Sequence, residues 1–230
     1  MSSENPLWGA PRIRSELRLL GYEASKATID KYKIRHRKPP SQTWRTFLDN
    51  HVRDLVAVDF FMVPTATFRI LFCFIVLRHH RRVVVHFNVT AHPTAERTAQ
   101  QVIEAFPEDQ APRFLIRDRD SIYGDFFRQR VKHMGIEEVV IAYRSPWQSP
   151  YVERLIGSIR RECLCHVIVL NEQHLKRILS SYLEYYHEDR AHPSLDRNAP
   201  FPREIELPER GRVISIARVG GLHHRYRRAA

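Results

Sequence analysis

Residues 55–90, LVAVDFFMVPTATFRILFCFIVLRHHRRVVVHFNVT, decide how this chain folds. The stretch breaks into three β-rich runs, LVAVDFFMV, FRILFCFIVL and RVVVHFNV, divided by the turn residues Pro64 to Thr67 and by the polar cluster Arg78 to Arg82. Links this short return a strand antiparallel to its neighbour, because a parallel return needs a crossover of a dozen residues or more. Working outward, Thr94 to Phe106 has helical apolar spacing between Pro93 and Pro107, and PRFLIRD reads as a short buried strand. Phe126, Phe127, Val131 and Met134 mark a helix that stops at Gly135. VVIA then reads as a fifth strand, Tyr151 to about His166 as a long helix, and Glu172 to His187 as another. The order of strands and helices is that of an α/β protein.

On the N-terminal side, Ile13, Leu17, Leu19 and Leu20 mark one helix face, Gly21 breaks the run, and Ser25 caps a second helix to about Ile34. The basic stretch RHRKPPSQT, with Pro39 and Pro40, reads as a linker or a DNA-facing strap that no helix crosses. The expected organisation is a helical module at 1–40, a linker at 41–50, an α/β core at 51–190 and a basic tail at 191–230 carrying one strand.

The 230 residues suffice to bury a core without staples. Thirty-seven Lys and Arg against twenty-six Asp and Glu leave a net charge of +11, which points to a polyanionic partner, nucleic acid first. Cys73, Cys163 and Cys165 lack the spacing of a disulfide framework or zinc ribbon, and a reducing, cytoplasmic setting is expected. The longest apolar run, Ile70 to Leu77, is far below the roughly 18 residues that span a bilayer, so no membrane association is expected. Eight glycines leave no phosphate-cradling loop.

Three acids stand where apolar patterning would not place them: Asp59 amid the strand AVDFF, Asp118 as the strand FLI ends, and Glu153 near a helix start. A carboxylate in a buried strand needs a cation, a metal or a polar face. At about 100° per residue, Val152, Leu155, Ile156, Ile159 and Cys163 share one arc, and Glu153 and Arg160 lie at its edge. Glu153 can therefore lean into a cleft beside the sheet, with Arg160 two turns on to meet a phosphate. Glu162 falls on the opposite side and reads as a solvated acid. Three oxygen ligands from separate elements suit Mg²⁺ or Mn²⁺ and two-metal phosphoryl chemistry.

The succession AVDFF, LIRDRDSIYG and RSPWQSPYVERLIGSIRREC resembles the catalytic core of the D,D,E transposases and retroviral-type integrases, in particular the bacterial insertion-sequence group. The resemblance, over roughly residues 44–200, implies a ribonuclease H-like fold, a five-stranded mixed sheet flanked by helices with strands one and four side by side. It implies Asp59, Asp118 and Glu153 as catalytic residues and metal ligands, two Mg²⁺ or Mn²⁺ ions with DNA bound, and cleavage and joining of DNA during transposition. The partners it implies are the element's ends and a target DNA, handled by a homo-oligomer. Asp120 stands where related sequences carry glycine and rivals Asp118; choosing it would shorten the thirty-four-residue interval to Glu153 to thirty-two. Two other readings remain open: a catalytically silent DNA-binding remnant, and a ribonuclease H-like nuclease that cuts without joining.

Arg117, Arg119, Arg144, Arg154, Arg160 and Arg161 are expected to form a basic rim around the acids. Trp147 in SPWQSP braces the loop or stacks on a base. The N-terminal module resembles the end of a helix-turn-helix whose second helix offers Lys31 to DNA, although two helices around a glycine are also an ordinary packing unit. His79 and His80, like His223 and His224, lack zinc spacing and read as solvated or DNA-facing pairs.

Overall fold

The computed structural model describes residues 9–32, 43–107, 110–143 and 145–229. The chain divides into two compact units, Met1–Thr46 and Phe47–Ala230.

In the first unit, α1 (Ala10–Leu19) and α2 (Lys26–Tyr32) pack through Ala10, Ile13 and Ile29, with Leu17 and Ala24 alongside. Gly21 takes a left-handed φ of +82°, and the Tyr22 amide closes back on the Leu17 carbonyl at 2.9 Å, which ends α1. Ser25 Oγ accepts from the Thr28 amide at 3.0 Å, the expected cap of α2.

The expected linker at 41–50 is overtaken by α3 (Trp44–His51). Thr43 Oγ1 accepts from the Thr46 amide, and Phe47 and His51, one turn apart, set their rings against Phe114 at 5.3 and 4.8 Å. Packing on that ring, invisible in the basic, proline-rich composition, makes the helix. Pro39 and Pro40 lie outside the described residues.

The second unit is built on a five-stranded sheet in the order β3-β2-β1-β4-β5. Here β1 is Leu55–Pro64, β2 Ile70–Arg78, β3 Val83–Thr90, β4 Phe114–Arg117 and β5 Glu137–Val140. The first three form an antiparallel meander; β1 pairs parallel with β4, and β4 with β5. One sheet face meets α4 (Ala95–Ala105) and α5 (Asp125–His133) through Val56, Val58, Phe74, Val102, Leu115 and Phe127. The opposite face carries α6 (Pro150–Glu162) and α7 (Glu172–Glu188). Leu175, Leu179, Tyr182, Leu183 and Tyr186 recur at helical spacing and bury one stripe of α7. This is the mixed α/β sheet expected from the sequence.

The C-terminal segment differs from expectation. Instead of one strand and a basic end it forms an antiparallel hairpin, β6 (Arg212–Arg218) and β7 (His223–Ala229), turned at Gly220 and Gly221. It packs on α7, so no unit boundary falls at 191. Asp189, its side chain fully buried, takes Arg218 Nε at 2.7 Å and Arg225 Nη1 at 3.2 Å. Among the described residues no helix is long and apolar enough to cross a membrane.

Candidate active site

Parallel pairing sets the first two acids side by side. In the β1–β4 ladder Leu55 faces Phe114, Val56 faces Leu115 and Ala57 faces Ile116. The same register, continued two residues, brings Asp59 opposite Asp118. Side chains alternate across a strand, so Asp59, two residues beyond buried Ala57, points to the face that carries α6. Asp120 would meet the strand two residues further on.

α6 delivers the third acid. Pro150 opens the helix, and Glu153 sits exposed in its first turn, where the helix dipole favours a carboxylate. The loop before it is drawn shut by Gln148, whose Oε1 accepts from the Ala142 amide at 2.6 Å, fixing the start of α6 against the end of β5. Asp59, Asp118, Asp120 and Glu153 line one cleft of about 320 Å³ with Arg119, Tyr143 and Ser149.

Its charge is unbalanced. No cation pairs with Asp59 among the described residues; its Oδ1 accepts only from the Phe60 amide at 2.7 Å. Burial, then the charge of Asp118, with lesser contributions from Glu153 and Asp120, pushes its carboxyl up to about 7. Asp118 thus acts on Asp59 more strongly than Asp120 does, in keeping with the register. Asp118 Oδ1 takes the Asp120 amide at 3.1 Å, and Asp120 Oδ1 takes the Ile122 amide at 3.0 Å, so both acids also shape the turn that follows β4.

The donor set fits a divalent cation by chemistry and charge: hard carboxylate oxygens from three elements, one of them crowded by burial and by the charge of its neighbours. No three acid, histidine or cysteine side chains among the described residues enclose an ion by themselves. The chain would supply part of a coordination shell, with water and substrate supplying the rest.

The basic rim divides. Arg119 lines the acid cleft and ties its Nε to the Ile141 carbonyl at 3.1 Å. Arg160 instead borders an apolar groove beside Met62, Pro64 and Ile168, and Arg154 and Arg161 lie on the opposite flank of α6. Arg154 stands about 100° around the helix from Glu153, whereas Arg160 shares the side of Glu153 but lies about 10 Å further along the axis. Trp147 is exposed on the turn before α6. Lys31 belongs to the first unit, over the Tyr32 ring, and Arg144 lies outside the described residues.

Other expectations are corrected. Glu162 is no solvated acid: Arg190 grips it through Nε at 2.8 Å and Nη2 at 2.7 Å, and the Tyr182 hydroxyl donates at 2.9 Å. Burial alone would raise its carboxyl, but these partners hold it below the usual range. His79 is buried with both ring nitrogens unpaired, edge-on to Tyr151, and burial followed by the Arg82 charge pushes it down to about 3. His223 stacks on Tyr185 at 4.4 Å.

Sequence reading missed the brace behind Asp118. Arg117, buried, donates to Glu138 at 2.5 Å across β4 and β5 and to the Asp118 carbonyl at 2.9 Å. An arginine closing the buried run FLI was the available signal. Tyr123 is buried beside the brace with its hydroxyl unpaired.

Compared with known proteins, residues 134–200 match the family model of the integrase core domain. No curated protein matches the chain. Among solved structures it is similar to the catalytic domain of Mos1 mariner transposase, with 15% identity and a TM-score of 0.53 over 66% of this chain and 85% of that one. A chain of the simian T-cell lymphotropic virus intasome, solved in complex with PP2A regulatory subunit B56 gamma, gives 14% and 0.53 over 93% and 82%. The HTLV-2 integrase catalytic core domain in complex with magnesium gives 12% and 0.51 over 65% and 94%. At such identities the likeness establishes the fold, the ribonuclease H-like fold of transposase and integrase catalytic cores.

Proposed function

We propose that this chain, which carries an integrase core domain match over residues 134–200, cuts DNA strands and joins a 3′ hydroxyl to a target phosphate. The observation that carries the reading is the cleft in which Asp59, Asp118 and Glu153, delivered by β1, the end of β4 and α6, gather with no cation opposite Asp59 among the described residues. Mg²⁺ or Mn²⁺, two ions once DNA is bound, would supply charge to activate the attacking oxygen and stabilise the leaving one. Magnesium accompanies the HTLV-2 core, and both magnesium and manganese accompany Mos1 domains similar to this chain.

The chain's own residues do the positioning. Asp59 and Asp118 each commit one oxygen to a backbone amide, which fixes the carboxylate plane and leaves the other oxygen for a ligand. Arg117 and Arg119 hold the strand end from which Asp118 departs. Arg119 keeps further N–H groups for a phosphate at the cleft. Both the element's ends and the target are DNA in this reading, which fits the +11 charge. The chain acts as a homo-oligomer inside the cell, and the intasome and the dimeric HTLV-2 core are the assembled relatives that support this.

The test is nicking and strand transfer on supercoiled DNA in Mg²⁺, Mn²⁺ or chelator, with Asp59→Asn, Asp118→Asn and Glu153→Gln alongside. Cleavage requires metal, and each amide lowers it by about a hundredfold or more. Asp120→Asn retains it. DNA bound but never cut assigns a silent remnant; cutting without joining assigns a nuclease.

A further inference from the structure

The flank of α6 that turns away from the acids holds a second groove, of about 320 Å³. Arg82, Arg154, Arg161 and Arg190 line it with Tyr151 and His192, and no acid lines it. Of these, Arg190 is neutralised by Glu162, much as Arg117 outside the groove closes on Glu138 and Arg218 on Asp189. Arg82, Arg154 and Arg161 pair with no acid among the described residues. Gathering unneutralised guanidiniums costs Coulomb energy that only an anion recovers.

The backbone is bent to achieve this. Arg81 and Arg82 occupy the left-handed region in succession, at φ +54° and +60°, which costs on the order of 1 kcal/mol each for a residue with a side chain. Arg81 thereby reaches the carbonyls of Pro200 and Ala199 at 2.7 and 2.9 Å. Arg82 lies 3.4 Å over the centre of the Tyr151 ring, and its Nη1 donates to the His79 carbonyl at 2.9 Å. A stacked and tethered guanidinium has little freedom left to lose on binding. Arg161 folds back over Gly157, where an added Cβ would stand 3.1 Å from its Nη1, so the glycine makes its room.

We propose that this groove is a second phosphodiester site, holding the backbone of a DNA duplex other than the strand at the acid cleft. The inference rests on the reading of the chain as a DNA-joining enzyme, which must hold two DNA segments at once. Guanidinium forks match phosphate oxygens two at a time, and the body of α6 keeps this duplex apart from the strand at Glu153.

The test uses the full chain in chelator, a labelled duplex of random sequence and a titration of salt. Arg154→Ala/Arg161→Ala, both exposed and unpaired, lowers the slope of log affinity against log salt by about two. The double variant also loses capture of a second labelled duplex by chain already held on an immobilised one, whereas Arg119→Ala lowers the slope and keeps capture. Duplex protects Arg154 and Arg161 of the wild-type chain from phenylglyoxal, read by peptide mass spectrometry. An unchanged slope with capture intact overturns the groove assignment while wild-type binding preserves the functional reading. A wild-type chain that binds no duplex overturns that reading itself. Competition by polyglutamate as effective as by duplex of equal charge overturns the assignment to DNA.

Discussion

Asp59 ionises only against its surroundings, and stability should show it. Its carboxyl sits at about 7 in the folded chain against 3.8 in the open chain, so this contribution to stability is lost as pH rises from about 4 to 7 and the full penalty is present above that. In chelator at pH 8, Asp59→Asn is therefore expected to raise the melting midpoint by a few degrees, on the order of 2 kcal/mol. Added Mg²⁺ should raise the wild-type midpoint and leave the variant's unmoved; equal metal shifts would remove Asp59 from the ligand set. The three acids were legible because each contradicts its local pattern, a charge within an apolar strand or at the rim of an apolar arc. Arg117 and Glu138 were not. They stand twenty-one residues apart and meet only once β4 and β5 pair in parallel, with Glu138 opposite Leu115. His79 was misread for a similar reason, since Tyr151, which covers it, comes from α6.

Among the elements, the seam between β4 and β5 and the hold on the C-terminal hairpin both depend on buried ion pairs. Removing one partner of such a pair costs about 3–5 kcal/mol, because the other charge remains desolvated. Glu138→Gln should lower stability by that order in urea titrations, and Glu138→Gln with Arg117→Met should recover most of the loss. Asp189→Asn removes the buried carboxylate beneath Arg218 and Arg225, and trypsin should then cut between 210 and 228 well before the sheet is attacked; an unchanged digestion pattern would show the hairpin held by other contacts. The core helices and strands were legible from apolar spacing, their ends shifting by a few residues. The hairpin was not, because β7 turns His223 and Arg225 inward onto Tyr185 and Asp189. Strand recognition relies on an apolar inner face, which HHRYRRA lacks.

At the scale of the whole molecule, acid should unfold this protein through its histidines. Burial, assisted by Arg82 at His79, by His192 at His187 and by Arg190 at His192, pushes their imidazoles down to about 3, 4 and 4. His187 Nε2 accepts from the Val84 amide at 2.9 Å, a bond only the neutral ring makes. The unfolded chain takes up these protons near pH 6.5 and the folded chain does not, so stability is complete above that pH and falls below it. Asp59 opposes this with one proton. The net slope approaches about 3 kcal/mol per pH unit toward pH 5, and His79→Phe should flatten it by about 1.4 in urea titrations across pH 7 to 4.5. A profile unaffected by that change would place the His79 proton elsewhere. The parallel register of β1 and β4 also sets where this chain tolerates change in length. Lengthening the turn at 64–69 or the connection at 107–113 adds only about 0.6 kcal/mol per doubling and leaves Asp59 opposite Asp118. One residue inserted within 55–59 or 114–118 turns an acid to the other face of the sheet. Insertions and deletions are therefore permitted in the excursions and forbidden in two five-residue segments, which makes the spacing of the acids along the chain a far looser quantity than their spacing in the fold.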